Sequence, residues 1–256
     1  MSASSRKPTG LPAVVDMTSW QSIRDELLVR EKAHTREGDA IAAARRRLPM
    51  VEVDGSALVT GPVGPVPFLS LFEGRDRLVV YQHMWQDGAP HQGQCEGCTT
   101  TAWHLHDATY LNAHGVSLAI LTTGTWEEVC PFIDFMGYRR VPWYSVREAA
   151  TPIGGDMGHL ASFLRDEDRV YLTYRTTGRG NERVNFSMGL LDMTPYGRGE
   201  DWEDVPDGWP ASRHACWSWR TDAQGEPTWD ETSRPLPQWS RPGAAPVTTL
   251  GRREQH

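Results

Sequence analysis

The chain has 256 residues, 39% of them hydrophobic and 23% charged, with a formal net charge of −7 and a pI near 5.7. That length supports one sizeable core, and the acidic balance gives no electrostatic ground for binding nucleic acid or an anionic membrane surface. No run of about 18 apolar residues is present, and no apolar segment precedes a small-residue cleavage site near the start, so neither a membrane span nor a signal peptide is expected and the expected location is cytoplasmic.

Residues 1–17 are small, polar and Pro-bearing, and are expected to be disordered. A helical extension is predicted over 18–50. Trp20, Ile23 and Leu27 keep a helical spacing, as do Ile41, Ala44 and Leu48, with Ser19 or Ser22 as cap and Pro49 as stop. Its middle is polar on every face, which makes it one long exposed helix or two packed ends. The basic run Arg45, Arg46 and Arg47 complements the dipole at its far end.

The main domain is predicted over 51–198. "MVEVDGSALVTGPVGPVPFLSLF" alternates and carries turn residues, as short strands or a hairpin would. "RLVVYQHMW" is a β-rich run, and "CTTTAWHLHDATYLNAHG" reads as a helix ending at Gly115. "VSLAILTTG" has the continuous apolar character of a strand buried on both faces. "TWEEVCPFIDFMG" opens with Thr125 and Glu128 at capping-box spacing and closes at Gly137. "YRRVPWYSV" is a further strand, "RVYLTYRTTGRGNERVNFS" a hairpin around "TGRGN", and "MGLLDMTP" the start of a short final helix. Strands and helices in that order imply an α/β sandwich with a mixed central sheet. Over 199–256 aliphatic residues nearly vanish. An irregular Trp- and Pro-rich segment is expected, partly wrapped on the domain by Trp202, Trp209, Trp217 and Trp219, with a disordered end.

Residues 83–106 hold two of the four cysteines and four of the nine histidines. Cys95 and Cys98 are spaced C-x-x-C, which in a cytoplasmic protein points to redox chemistry or metal binding rather than a structural disulfide. Cys95 follows a strand and opens a helix. The unpartnered N–H groups there favour a thiolate, making Cys95 a nucleophile near neutral pH, and Cys98 lies one turn away as the resolving thiol. Strand, C-x-x-C, helix and buried strand form the opening of a thioredoxin-like unit. Glu96 acts against this, since a nearby carboxylate disfavours a second negative charge. Cys130 and Cys216 stand alone and read as inert.

On a helix, His104 lies roughly 9 Å beyond Cys98 and His106 roughly 12 Å, so neither shares a metal with both cysteines and both read as surface or packing residues. His83, at the end of the strand before the dithiol, and His91, in the loop just ahead of it, can both reach the sulfurs. Two cysteines and one or two histidines suit copper(I) or zinc. His83 could instead be the base that activates the thiol, or a satisfied buried histidine.

The segments "LLVREKAHTREGDAIAAARRRLPMVEVD", "LSLFEGRDRLVVYQHMW", "QCEGCT", "FMGYRRVPWYS" and "VNFSMGLLDMTPYGRGEDW" resemble the DUF899 family of bacterial thioredoxin-like proteins, from about residue 22 to 209. The resemblance implies a thioredoxin- or peroxiredoxin-type fold behind an N-terminal helical extension, and no established substrate. It matches Cys95 and Cys98 to the thioredoxin-type pair and His83 to a histidine at the end of the preceding core strand. Pro142 resembles the proline before the next strand in peroxiredoxin-like chains. The Glu-Gly between the cysteines departs from the Gly-Pro of thioredoxin.

Three functions are therefore expected in competition. The first is a C-x-x-C oxidoreductase in thiol–disulfide or peroxide chemistry, needing no cofactor, with Cys95 attacking and Cys98 resolving. The second is a copper- or zinc-binding protein or oxidase with Cys95, Cys98 and His83 or His91 as ligands. The third is a non-catalytic binding module with an aromatic pocket from Trp103, Trp143, Trp202 and Trp209. The expected partner is a small-molecule or protein disulfide, with a homodimer as the candidate assembly.

Overall fold

The computed structural model describes residues 10–89, 91–105, 107–200 and 202–209. His106, Cys216, Trp217 and Trp219, the chain ends over 1–9 and 210–256, and the expectations attached to them lie outside the described residues.

Helix α1 (Met17–Arg45) is a single long helix with no buried residue, as a stretch polar on every face requires. Asp16, not Ser19 or Ser22, is its cap: the Asp16 carboxylate accepts the Ser19 N–H at 2.9 Å. Near its far end the Arg45 guanidinium sits 5.0 Å from the centroid of the Tyr174 ring. No helix among the described residues is long and apolar enough to cross a membrane.

One eight-stranded mixed sheet organises the rest. Its strands are β1 (Val51–Val53), β2 (Leu58–Gly61), β3 (Gly64–Pro67), β4 (Arg77–His83), β5 (Val116–Thr122), β6 (Trp143–Ser145), β7 (His159–Asp166) and β8 (Arg169–Thr177). The spatial order is β1-β8-β7-β4-β5-β6-β2-β3. β4, β5 and β6 run parallel, and the remaining pairings are antiparallel.

Helix α2 (Glu96–His104) and the short α3 (Thr109–Ala113) connect β4 to β5, and α4 (Trp126–Met136) follows β5. The antiparallel pair β7–β8 then lies on the other side of β4, and α5 (Phe186–Asp192) comes last. A β-α-β unit followed by an antiparallel pair, in the spatial order β5-β4-β7-β8, is the thioredoxin-like arrangement.

β4 and β5 read as apolar runs because both of their faces are covered. Tyr81, Leu118 and Ile120 meet Cys98 and Ala102 of α2 and Val129, Phe132 and Met136 of α4 on one face. Leu78, Val80, Ala119 and Leu121 meet Phe68 and Phe72, from a 3-10 turn at Phe68–Phe72, on the other. Thr125 caps α4 through the Glu128 N–H, and Gly137 closes it at φ 74°, the left-handed conformation that glycine adopts without a Cβ penalty.

Two local expectations are corrected. The helix expected to run to Gly115 stops at His104, where Leu105 leaves helical geometry, and the Asp107 carboxylate accepts the Thr109 N–H at 2.8 Å to start α3. The hairpin turn lies not at "TGRGN" but one element earlier, between β7 and β8, where Glu167 takes φ 53°. "GRGNERV" is instead a 3-10 turn, folded back because the Asn181 amide donates to the Gly158 carbonyl at 2.9 Å. Among the described residues the cis peptide bond is Thr151–Pro152, and the bond before Pro142 is trans.

Candidate active site

β4 delivers Val79 and Tyr81 to the helix-covered face of the sheet, as period-two alternation dictates, and it ends at His83. The loop that follows is folded around Gln94, which is 2% exposed. Its side-chain oxygen accepts the Gln86 N–H at 3.0 Å, and its amide donates to the Gln86 carbonyl at 3.0 Å and the Ala89 carbonyl at 3.3 Å. This clamp returns the chain to the end of β4 and sets Cys95 at the N-cap of α2.

Both cysteines are free thiols, Cys95 half-buried and Cys98 2% exposed. The Cys98 N–H donates to Cys95 Sγ at 3.5 Å, and the Met84 N–H donates to Cys98 Sγ at 3.4 Å. A hydrogen bond from the Cys98 thiol lowers the Cys95 pKa to about 7, helped by the Cys98 and Gly97 N–H groups and opposed by burial. Cys98 is pushed in the opposite direction, well above the usual thiol range, first by the same bond to Cys95 and then by burial and the Cys95 charge. When the pair ionises, the charge falls on the more exposed sulfur and the proton stays on the buried one.

Sequence reasoning missed Tyr81. It lines the cleft together with Cys98 and Thr101, and its pKa is raised far above the usual phenol value, first by burial and then by the Cys98 charge. It stays protonated and acts as a donor. The signal was present in "VVYQH". Tyr81 lies two residues before His83, on the same strand face, and a buried phenol needs a partner.

The first turn of α2 is held from several sides. Thr99 Oγ1 donates to the Cys95 carbonyl at 2.7 Å and Thr101 Oγ1 to the Gly97 carbonyl at 2.9 Å. The Tyr138 hydroxyl donates to the Thr99 carbonyl at 2.8 Å, and the Asn185 amide to Thr101 Oγ1 at 3.2 Å.

His83 and His91 share a neighbour, and it is an aromatic ring. The ring of Phe132 on α4 lies 5.7 Å from that of His83 and 5.5 Å from that of His91, centroid to centroid. His83 also packs on Trp143 at 5.2 Å and is fully buried. Burial alone drives its pKa down to about 4, and burial lowers that of His91 as well. His104 packs elsewhere, with Nδ1 2.9 Å from the Thr100 carbonyl and Nε2 2.8 Å from Ser187 Oγ. Among the described residues, no three His, Cys, Asp or Glu side chains gather in a metal-holding set. Trp143 is a core residue stacked on Tyr138 with ring centroids 5.7 Å apart.

The thiols open onto a cleft of about 310 Å³ lined by Met84, Met157, Gly158 and Asn181 among others. Among the described lining residues, those that ionise are Cys95, Cys98 and Tyr81.

A thioredoxin-type fold with a buried and a half-buried thiol at the start of its first core helix defines the class. The chain belongs to the family described as bacterial protein of unknown function (DUF899), which it matches over residues 9–224. No curated protein matches it. Among solved structures it is similar to a putative thiol:disulfide interchange protein DsbE from Chlorobium tepidum, at 12% identity and a TM-score of 0.33 over 54% of this chain and 98% of that one. It is also similar to peroxidoxin BcpB from Mycobacterium tuberculosis, at 16% identity and a TM-score of 0.34 over 56% and 94%. A third similarity is to apo Sco1 from Thermus thermophilus, at 16% identity and a TM-score of 0.34 over 57% and 95%.

Proposed function

We propose that the protein is a thiol–disulfide oxidoreductase that uses Cys95 as nucleophile and Cys98 as resolving thiol. The observation that carries this reading is the geometry of the pair: half-buried Cys95 at the N-cap of α2 accepts the Cys98 N–H at 3.5 Å, and Cys98 is buried one turn behind it, with the Cys95 pKa drawn down to about 7 and that of Cys98 pushed up. A nucleophile poised near ambient pH combines a useful thiolate fraction with retained nucleophilicity.

The Cys95 thiolate attacks one sulfur of a disulfide, the S–S bond breaks, and the first thiol leaves as its thiolate and takes up a proton. Cys98 then loses its proton and attacks Cys95 Sγ. This forms the Cys95–Cys98 disulfide and releases the second thiol. The substrate gains two electrons and the dithiol loses them, and an external dithiol reductant returns the protein to its starting state.

The cleft favours a disulfide over a peroxide. Cleavage of an O–O bond expels an alkoxide, a much stronger base than a thiolate, and needs donors aimed at it. The hydroxyls of Thr101 and Thr177 are already engaged, with the Gly97 and Gly158 carbonyls, and the Asn181 amide gives one of its N–H groups to the Gly158 carbonyl.

The test is trapping. Reduced Cys98→Ser protein mixed with an aromatic disulfide such as DTNB is expected to stop at a mixed disulfide on Cys95, the wild type to proceed to the internal disulfide, and Cys95→Ser to do neither. Full disulfide reduction by Cys95→Ser would overturn the reading.

A further inference from the structure

We infer that the cleft beside Cys95 takes a small, uncharged disulfide in preference to charged low-molecular-weight disulfides and to protein disulfides. The inference rests on the oxidoreductase reading above and adds a substrate class to it.

Charge is the first ground. Around the two thiols and the protonated Tyr81, the wall consists of methionine, glycine, threonine and asparagine. Among the described lining residues there is no guanidinium or ammonium for a substrate carboxylate and no carboxylate for a substrate amine. The cations that flank Thr177 and Gly178 along the chain, Arg175 and Arg179, are not among the lining residues and have contacts of their own. The Arg175 guanidinium donates to the Asp156 carbonyl at 2.8 Å and lies 3.0 Å from His159 Nδ1. Arg179 pairs with Glu182 at 2.8 Å and lies over the Trp202 ring at 4.0 Å. A charged substrate entering here loses hydration, and the one counter-charge among the described lining residues is the Cys95 thiolate itself, which is spent in the attack.

The main chain is the second ground. A protein disulfide presented on an extended segment would gain affinity by pairing its backbone with an open edge. Gly158, on the wall of the cleft, has nothing left to pair. Its N–H donates to the Gln82 carbonyl at 2.6 Å. Its carbonyl already accepts two donors, Thr177 Oγ1 at 2.8 Å and the Asn181 amide at 2.9 Å, which fills both lone pairs.

Size and adaptability complete the argument. A volume of about 310 Å³ stands at the lower end of small-molecule sites. Met84 is 41% exposed, and a side chain on Gly158 would meet its thioether at 3.7 Å. Met84 and Met157 thus form a flexible apolar rim able to close on small substituents.

The experiment follows formation of the Cys95–Cys98 disulfide in the reduced full-length protein. Four oxidants are compared: bis(2-hydroxyethyl) disulfide, which is small and neutral; cystamine, small and cationic; dithiodiglycolate, small and anionic; and insulin. Each second-order rate constant is divided by that of dithiothreitol with the same oxidant, which removes intrinsic differences between leaving groups. The neutral disulfide is expected to lead each of the other three by roughly tenfold. Met84→Lys, and independently Met157→Lys, are expected to raise the normalised rate with dithiodiglycolate by roughly fivefold. A normalised rate with cystamine, dithiodiglycolate or insulin that equals or exceeds that of the neutral disulfide would overturn the inference and leave the oxidoreductase reading intact. Failure of all four to form the Cys95–Cys98 bond would overturn both.

Discussion

Tyr81 on β4 and Cys98 on α2 line the same cleft, the phenol raised in pKa by burial and by the Cys98 charge, so the buried half of the dithiol lies beside a phenol and not an imidazole. Tyr81 and the Met84 N–H are the two groups that lower the Cys98 pKa against the forces raising it. Cys98 must become a thiolate to resolve a mixed disulfide, and a donor to a charged sulfur is worth about 1.5 kcal/mol or more. Tyr81→Phe is therefore expected to slow resolution by roughly tenfold while leaving the attack by Cys95 nearly unchanged. Quenched-flow mass spectrometry should show the mixed disulfide accumulating. Equal slowing of both steps would contradict this assignment.

Cys95 should titrate in alkylation kinetics with a midpoint near its pKa of about 7. The largest cause of that value is the hydrogen bond from Cys98, so Cys98→Ala is expected to move the midpoint up towards the ordinary thiol range. The sign for stability follows from the depressed value. The contribution from ionised Cys95 is complete above the unfolded thiol pKa of 9.0 and is lost as pH falls towards about 7. Iodoacetamide rates measured from pH 5.5 to 9.5 check both statements. A midpoint unmoved by Cys98→Ala would mean that the helix N–H groups alone set the value.

Gln94 clamps the loop that brings Cys95 to the end of β4, through three hydrogen bonds to the Gln86 and Ala89 main chain. Gln94→Ala leaves the Gln86 N–H and carbonyl without this partner in a part-buried setting. It is expected to cost about 1–3 kcal/mol, read by urea denaturation, with faster amide exchange at Gln86. An unchanged exchange rate at Gln86 would show that the loop is held by other contacts.

Much of this arrangement was legible in the chain because its signals are local. Continuous apolar runs marked β4 and β5, and Thr125, Glu128 and Gly137 marked both ends of α4, since caps and left-handed glycines act within one turn. The C-x-x-C followed by helix-forming residues placed Cys95 at a helix start for the same reason. The parts that were not legible depend on contacts across the fold. Asn181 bends "TGRGN" onto Gly158 and so displaces the hairpin turn that the glycines alone suggest. His83 and His91 stand close to Cys95 in the chain, yet their rings follow Phe132 of α4, an element no local spacing brings to them. Tyr81 was readable as buried, but its partner became visible only once α2 was laid over β4.

His83 offers the clearest acid-sensitive element. Its ring is enclosed by Trp85, Phe132 and Trp143, and neither ring nitrogen has a hydrogen-bond partner among the described residues. Burial lowers its pKa from 6.5 to about 4. The unfolded chain therefore takes up a proton at this histidine before the folded one does. The neutral ring is accommodated above pH 6.5, and stability is lost as pH falls from 6.5 towards 4, by roughly 3 kcal/mol across that window. His83→Phe keeps an aromatic ring of similar volume and removes the titrating group. It is expected to fold at neutral pH and to flatten the acid slope in urea midpoints taken at pH 7.5, 5.5 and 4.5. The same variant tests whether His83 serves the dithiol. Packed on Phe132 and Trp143 while Tyr81 lies beside Cys98, His83 is not expected to set the reactivity of Cys95, so the alkylation midpoint should stay near 7. A midpoint displaced upward in His83→Phe would restore the imidazole as a base for the thiol, whereas an unaltered acid slope would locate the acid sensitivity in other groups.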